Sequence, residues 1–329
     1  MNYAQLPKIE LHLHLDCSLS YKVVHAIDNT ITETQYRQEF VAPPVCADLR
    51  DYLTRAVKGF SLMQTSAQLR LVTLDLLAQL EADQVIYAEI RFAPLLHTQQ
   101  GLSPAQVVEA VQAALQEGAG RYNVVARLIL CTLRHFTEEQ SLETAVLTRQ
   151  FFGKGWVAGF DMAGDEAGYG VLAHKKAFAL IKESGIPFTV HAGEAAGPAS
   201  MWEVIRELGP HRIGHGVRSI EDPSLVEYLV QKGIHLEVCP TSNLQTNIFS
   251  SMQGHSLGVL HQQGVSLSIS TDARMITPVT LSSEYHRVSE AFGWGQAEFL
   301  ACNLQALQVA FVEEEMRATL RQQVLMAYR

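Results

Sequence analysis

The sequence predicts an α/β protein, a (β/α)8 TIM-type barrel with a helical insertion after the first strand. Three observations carry this reading. Short apolar, β-branched segments alternate eight times with longer amphipathic stretches. No Gly/Ser linker, low-complexity run or short-period repeat divides the 329 residues, 47% of which are hydrophobic, and barrels routinely exceed the usual domain size as single units. Residues suited to metal ligation and proton transfer gather at the ends of the predicted strands, where barrels carry their chemistry. Residues 1–329 are therefore read as a single domain.

Taken in order, the first strand is expected at 9–15. The interval 16–84 that follows is far too long for a βα loop, and its second half, 49–84, is rich in Leu, Ala and Gln. We expect 16–84 to be a helical cover inserted between strands one and two, above the barrel mouth; pattern alone fits a packed, inert insertion equally well. The other strands are expected at 85–92, 123–131, 156–162, 187–191, 212–215, 234–238 and 265–270. Between them, 103–116, 174–184, 199–208, 223–232 and 256–263 place apolar residues at the three-to-four spacing of amphipathic helices.

A formal net charge of −9 disfavours a duplex nucleic-acid binder, which needs a basic face to displace counterions, and favours a small-molecule partner. The opening MNYAQLPKIELHLHL has no basic segment followed by an apolar one, and no stretch reaches membrane-span length, so a cytoplasmic protein without membrane contact is expected. The five cysteines form no CxxC pair, which argues against both a disulfide framework and a thiolate zinc site. Reduced, buried thiols are expected at Cys46, Cys131, Cys239 and Cys302; Cys17 stands apart because of where it falls. Oligomeric state is not legible.

His12 and His14 end the first strand, and their i, i+2 spacing directs both imidazoles to one face, into the barrel. An HxH pair alone is a weak signal, since such histidines are more often simply hydrogen-bonded. Strand five adds His191 with Glu194 three residues on, strand six ends in His215, and strand eight runs into Asp272. Imidazoles with a carboxylate suit Zn2+ with room left for water, and Fe2+ or Mn2+ as well. His25, His97, His135, His174, His211, His235, His255, His261 and His286 lack this placement and are mostly assigned no role.

LPKIELHLHLD, GFDMAGDEAGY, FTVHAGE, RIGHGVRSIEDP, LEVCPTSN and SISTDAR, in order from residue 6 to about 274, resemble the successive signatures of the adenosine deaminase family of amidohydrolase barrels. The H-x-E…P-C-x-x-C pattern of the cytidine-deaminase type is absent. The resemblance implies zinc-dependent hydrolytic deamination of adenosine and 2′-deoxyadenosine to inosine and 2′-deoxyinosine, with release of ammonia. It implies one Zn2+ per chain held by His12, His14, His191 and Asp272, acidifying water that Asp272 helps to deprotonate. It also makes His215 a steering group that is not a ligand, and Glu194 the acid that protonates purine N1. His14, Asp16 and Gly164 would contact substrate, with the Gly164 backbone against purine N3 and the Asp16 carboxylate near the ribose 5′-hydroxyl. The plainer alternatives are a helix-dipole carboxylate for Glu194, a loop glycine for Gly164 and an N-cap for Asp16.

Two positions depart from the family pattern. Its Asp-Asp pair is here Asp272-Ala273, which removes a contact to purine N7 that Arg274 or water would have to replace; its Gly after HLD is Cys17, which changes volume near the sugar. These departures leave two further readings open. One is a deaminase of a 5′-modified adenosine such as aminodeoxyfutalosine or methylthioadenosine. The other is a non-catalytic purine-binding protein, against which the complete set of His12, His14, His191, Glu194, His215 and Asp272 argues.

Overall fold

The structure, a computed structural model, describes residues 2–328. Eight strands, all paired in parallel, form two four-stranded runs: β1 Lys8–His14, β2 Val85–Phe92, β3 Val125–Leu133 and β4 Val157–Ala163, then β5 His191–Ala192, β6 Arg212–His215, β7 His235–Val238 and β8 Leu267–Ile269. Two single bridges join the runs into a closed barrel, Phe160 with Phe188 between β4 and β5, and Leu13 with Asp272 between the end of β8 and β1.

Two strands, 85–92 and 212–215, have the boundaries expected from sequence. The fifth falls short of the expected 187–191 because Met162 N, the next donor along β4, turns to the Asp161 side chain at 2.7 Å and does not extend the ladder past Pro187. The Pro187 carbonyl still accepts from Phe160 N at 3.1 Å, and Thr189 N donates to Phe160 O at 3.1 Å, so the segment lies along β4 without full strand geometry. The register of β1 against β2 shifts between Glu10 and Leu13, at the residues from which His12 projects. Such a bulge bends a strand and re-aims its side chains.

Residues after β1 form α1 Tyr21–Ile27, α2 Glu33–Glu39, α3 Leu49–Ser61 and α4 Ser66–Ala82. The stretch 49–84, expected to hold at least one helix, holds two, because Thr65 and Gln68 form a reciprocal capping box that starts a new one. Helices α5 Pro104–Ala119, α6 Glu138–Phe151, α7 Lys175–Glu183, α8 Pro198–Glu207, α9 Pro223–Lys232, α10 Pro240–Gln245 and α11 Leu257–Gln262 follow strands around the barrel. Ser103 with Gln106, and Thr137 with Gln140, cap α5 and α6 in the same way. Three helices absent from the sequence reading close the chain: α12 Leu281–Phe292, α13 Gln296–Val309 and α14 Glu314–Ala327. Asn303 on α13 accepts from Ile9 N at 2.8 Å and so ties this tail to β1.

All five cysteines are free and buried. Among the described residues, no helix is long and apolar enough to cross a membrane.

One buried carboxyl carries a stability consequence. Glu284 on α12 is fully buried, accepts from Thr241 N at 3.2 Å through one oxygen and leaves the other without a partner. Burial pushes its pKa up to about 7. A carboxyl raised on folding gives stability that is complete below its unfolded pKa and is lost as pH rises through about 7. Glu284→Gln should therefore be more stable than the parent above pH 7, by up to about 3 kcal/mol, and melt at a higher temperature, with the gap shrinking toward pH 5. Thermal melts of the two proteins across that range check this; a gap independent of pH would contradict it.

Candidate active site

The carboxyl ends of the strands meet at one place. His14 N donates to Asp272 O at 2.8 Å and Asp272 N to His12 O at 3.0 Å, so the bonds that close the barrel also bring Asp272 beside the two histidines. Asp272 Oδ1 lies 3.5 Å from both His12 Nε2 and His14 Nε2, and His14 Nε2 lies 3.1 Å from His191 Nε2. One ligand-type atom from each of His12, His14, His191 and Asp272 falls within 4.8 Å of all the others.

The second nitrogen of two of these rings is already used. His12 Nδ1 is 2.9 Å from Glu237 Oε2, and His191 Nδ1 is 3.1 Å from Asp161 Oδ2. A ring that donates its Nδ1 proton to a carboxylate keeps a bare Nε2. His12 Nε2 is buried and has no hydrogen-bond partner. Bare, converging nitrogens beside a carboxylate repel one another unless a cation lies between them, and this donor set suits a divalent transition metal.

Glu237 and Asp161 are themselves held by buried arginines. Arg91 reaches both, Nη1 to Asp161 Oδ2 and Nη2 to Glu237 Oε2, each at 2.7 Å, and Arg212 Nη2 lies 2.7 Å from both Glu237 Oε1 and Glu89 Oε2. Burial raises the Glu237 carboxyl, but Arg212 and Arg91 reverse that and hold it well below the usual range, so it remains an acceptor. Gly214 provides room for this packing: a Cβ there would stand 2.7 Å from His12 Cε1.

Glu194 follows β5 in a loop pinned by Glu166, which accepts from Gly193 N, Glu194 N, Ala196 N and Ser200 Oγ at 2.6–3.0 Å. Burial first, then the charges of Asp272 and Glu166, raise the Glu194 carboxyl well above its ordinary value. Its Oε2 is 3.6 Å from His215 Nε2. Asp272 Oδ2 accepts from Ser242 Oγ at 2.7 Å. His215 and Asp272 both have left-handed backbone, φ 62° and 65°, a conformation costly for side chains and concentrated at functional sites.

His14, His191, Glu194, His215 and Asp272 face one cavity together with Gly164, Cys17 and Ala273, and α3 closes part of it with Leu49, Tyr52 and Leu53. Gly164, with φ 102°, follows directly on β4. Asp16 caps no helix; it accepts from Ala93 N at 3.2 Å and lines the adjoining space. Arg274, considered above as a substitute contact for purine N7, turns away from the cavity onto Glu10 at 2.9 Å and Asp83 at 3.1 Å. Burial, then the Asp16 and Asp272 charges, keep the Cys17 thiol protonated.

The family profile described as adenosine deaminase matches residues 7–327. The chain belongs to the adenosine deaminase family. An adenosine deaminase from Lacticaseibacillus paracasei is 34% identical over 98% of this chain and 97% of its own length. Among solved structures, an amidohydrolase from Burkholderia ambifaria with bound Zn superposes with a TM-score of 0.91 at 20% identity, covering 99% of this chain and 91% of that one. An N6-mAMP deaminase from Arabidopsis does so with a TM-score of 0.89 at 24% identity, covering 98% and 99%. The fold is thus that of amidohydrolase-type deaminases, and family members are hydrolases.

Sequence reading alone missed the supports of this deaminase-family site: Glu237, Asp161, Arg91, Glu166, Ser242 and Asn243, whose Nδ2 lies 3.1 Å from His215 Nδ1. A usable signal existed for three of them, since Arg91, accompanied by Glu89, and Asp161 and Glu237 are charges inside the otherwise apolar strands VIYAEIRF, VAGFDMA and HLEV. A charge in such a strand needs a buried partner. The convergence of bare nitrogens predicts that the purified chain carries about one divalent metal ion per molecule and that His14→Ala lowers this sharply. Elemental analysis of both proteins checks it, and full occupancy in His14→Ala would remove these residues as the ligand set.

Proposed function

We propose that this chain is a zinc-dependent adenosine deaminase, converting adenosine and 2′-deoxyadenosine to inosine and 2′-deoxyinosine with release of ammonia. The observation that carries this is a buried Glu194, its carboxyl raised well above its ordinary value by burial and by the charges of Asp272 and Glu166, facing the same cavity as the cluster of His12, His14, His191 and Asp272. The name of the Lacticaseibacillus relative supports the substrate, and the Zn in the Burkholderia amidohydrolase supports the metal. Residues 1–329 act as one catalytic barrel with 16–84 as its cover. The unpaired cysteines fit a reducing, cytoplasmic setting.

In this reading His12, His14, His191 and Asp272 hold one Zn2+, which supplies Lewis acidity that lowers the pKa of water toward neutrality. Asp272 takes a proton from the attacking water, its other oxygen being engaged by Ser242. Glu194 gives its proton to purine N1 as the oxygen adds to C6, which relieves the charge that addition would leave on the ring. The proton on Asp272 passes to the amino group, which departs as ammonia, and the new hydroxyl returns its proton to Glu194 as the carbonyl forms. His215 stands beside the attack point and orients the incoming oxygen. The Gly164 backbone meets purine N3, while Asp16 and His14 meet the sugar side.

A second reading, a 5′-modified adenosine as substrate, is favoured by a specific feature. Beyond Asp16 the site opens into a space of about 380 Å3 walled by Leu53, Val57, Phe60, Leu96 and Leu133. Such walls suit a thioether better than a phosphate, and Arg50 at the edge is already paired with Asp165 at 2.9 Å.

Glu194→Gln should keep metal and nucleoside binding but lower kcat by at least about 10²-fold, because the amide has no proton to transfer. Steady-state ammonia release checks this, and an effect confined to KM would make Glu194 a binding residue. Ala273 leaves no polar group to be stranded by a substrate lacking N7, so 7-deazaadenosine should lose less than about tenfold in kcat/KM against adenosine. Direct comparison of the two nucleosides tests this; a drop of several hundredfold would show that N7 is bound by some other group. If methylthioadenosine exceeds adenosine in the same assay, the second reading replaces the first.

A further inference from the structure

A chain of hydrogen bonds leads away from His215 into the protein, and its directions can be worked out from one end. Leu257 N lies 3.0 Å from His255 Nδ1. A backbone N–H can only donate, so Nδ1 of His255 accepts and the ring proton sits on Nε2. That Nε2 is 3.2 Å from Asn243 Oδ1, an acceptor, which fixes the amide orientation and leaves Asn243 Nδ2 facing His215 Nδ1 at 3.1 Å. The amide nitrogen can only donate, so His215 Nδ1 is the acceptor and its ring proton lies on Nε2, the nitrogen on the Glu194 side. All three side chains are buried, with His255 2% exposed, Asn243 0% and His215 1%. The His255 ring is further held by Phe249 at a centroid distance of 4.4 Å.

We propose that Asn243 and His255 are positioning residues that set the tautomer of His215, so that it presents an Nε2–H donor, rather than a lone pair, to the incoming oxygen. Neither residue reaches the cavity; both act through His215. A donor at this point holds one lone pair of the oxygen and leaves the oxygen's own proton for Asp272. The opposite tautomer would place a second acceptor beside Asp272, competing for that proton and misdirecting the nucleophile. The chain also accounts for two polar residues in PTSN and in the segment before α11 that otherwise have no task.

The effect on kcat rests on the deaminase reading above, whereas the proton position on His215 can be read without any reaction. The experiment is a long-range 1H–15N correlation spectrum of zinc-loaded protein labelled at histidine nitrogens, with His215 assigned through His215→Asn, alongside kinetics of three variants. In the parent protein His215 should show a bare Nδ1 and a protonated Nε2. Asn243→Asp offers only acceptors, so it should move the proton to Nδ1 and lower kcat about 10²-fold with zinc content retained and KM within about twofold. His255→Phe, which frees the amide to turn, should lower kcat by about tenfold and mix the two tautomers; His255→Gln, which can still donate to Asn243 Oδ1, should recover most of that loss. A parent His215 protonated on Nδ1 overturns the proposal even if no variant folds. So does an Asn243→Asp protein whose loss lies in KM or zinc content while Nδ1 stays bare. Failure of the parent protein to release ammonia from adenosine, with the Nε2–H tautomer present, would sink the substrate reading and leave the tautomer assignment standing.

Discussion

Arg91 sits where two carboxylates that cannot stand alone in an apolar barrel are brought together. It pairs with Asp161 on one side and Glu237 on the other, and Arg212 continues the alternation from Glu237 to Glu89. Burial alone would lower the Arg91 pKa, and the two carboxylates more than reverse this, so the guanidinium remains charged. Taking charges out of water is costly, and removing one partner of such a set typically costs about 3–5 kcal/mol. What the arrangement achieves is the orientation of its neighbours. Glu237 and Asp161 orient His12 and His191 through Nδ1, and the bare Nε2 atoms of both rings then aim at the place where Asp272 and His14 arrive.

Barrel closure and site assembly are one event. The Leu13–Asp272 bridge joins the end of β8 to β1, and its two backbone hydrogen bonds flank His12, His14 and Asp272. Among the described residues, the side-chain-bearing positions with positive φ are Gln84, His215, Asn247 and Asp272, so half of them lie in the site. Strain of this kind persists only where surrounding structure over-determines it. Here the supports are Ser242 on Asp272 and Asn243 on His215, neighbours in sequence on the short helix α10.

Much of this was legible in the chain. Strand and helix alternation gave the barrel, and the reactive residues could be placed at strand ends before any contact was known. Legibility failed where a feature depends on partners far apart in sequence. Glu237 and Arg91 are 146 residues apart, and nothing local says which buried charge meets which. The fifth strand contracted because Met162 N bonds to its neighbour Asp161 and not across to the next strand, and the division of 49–84 into two helices depends on the cap at Thr65. His255, left without a role by its position along the chain, is joined to His215 through Asn243. Arg274 next to Ala273 looked available to a purine, but Glu10 and Asp83 draw it to the other side of the chain.

The proposed function requires that the His12, His14, His191 and Asp272 cluster hold a zinc ion on which hydrolysis of adenosine depends. The most direct measurement is ammonia release from adenosine by one preparation as isolated, after removal of metal by a chelator, and after return of one equivalent of Zn2+. Release is expected in the first state, loss in the second and recovery in the third, with inosine formed in equal amount to ammonia. Undiminished release from protein shown to be free of metal would contradict it.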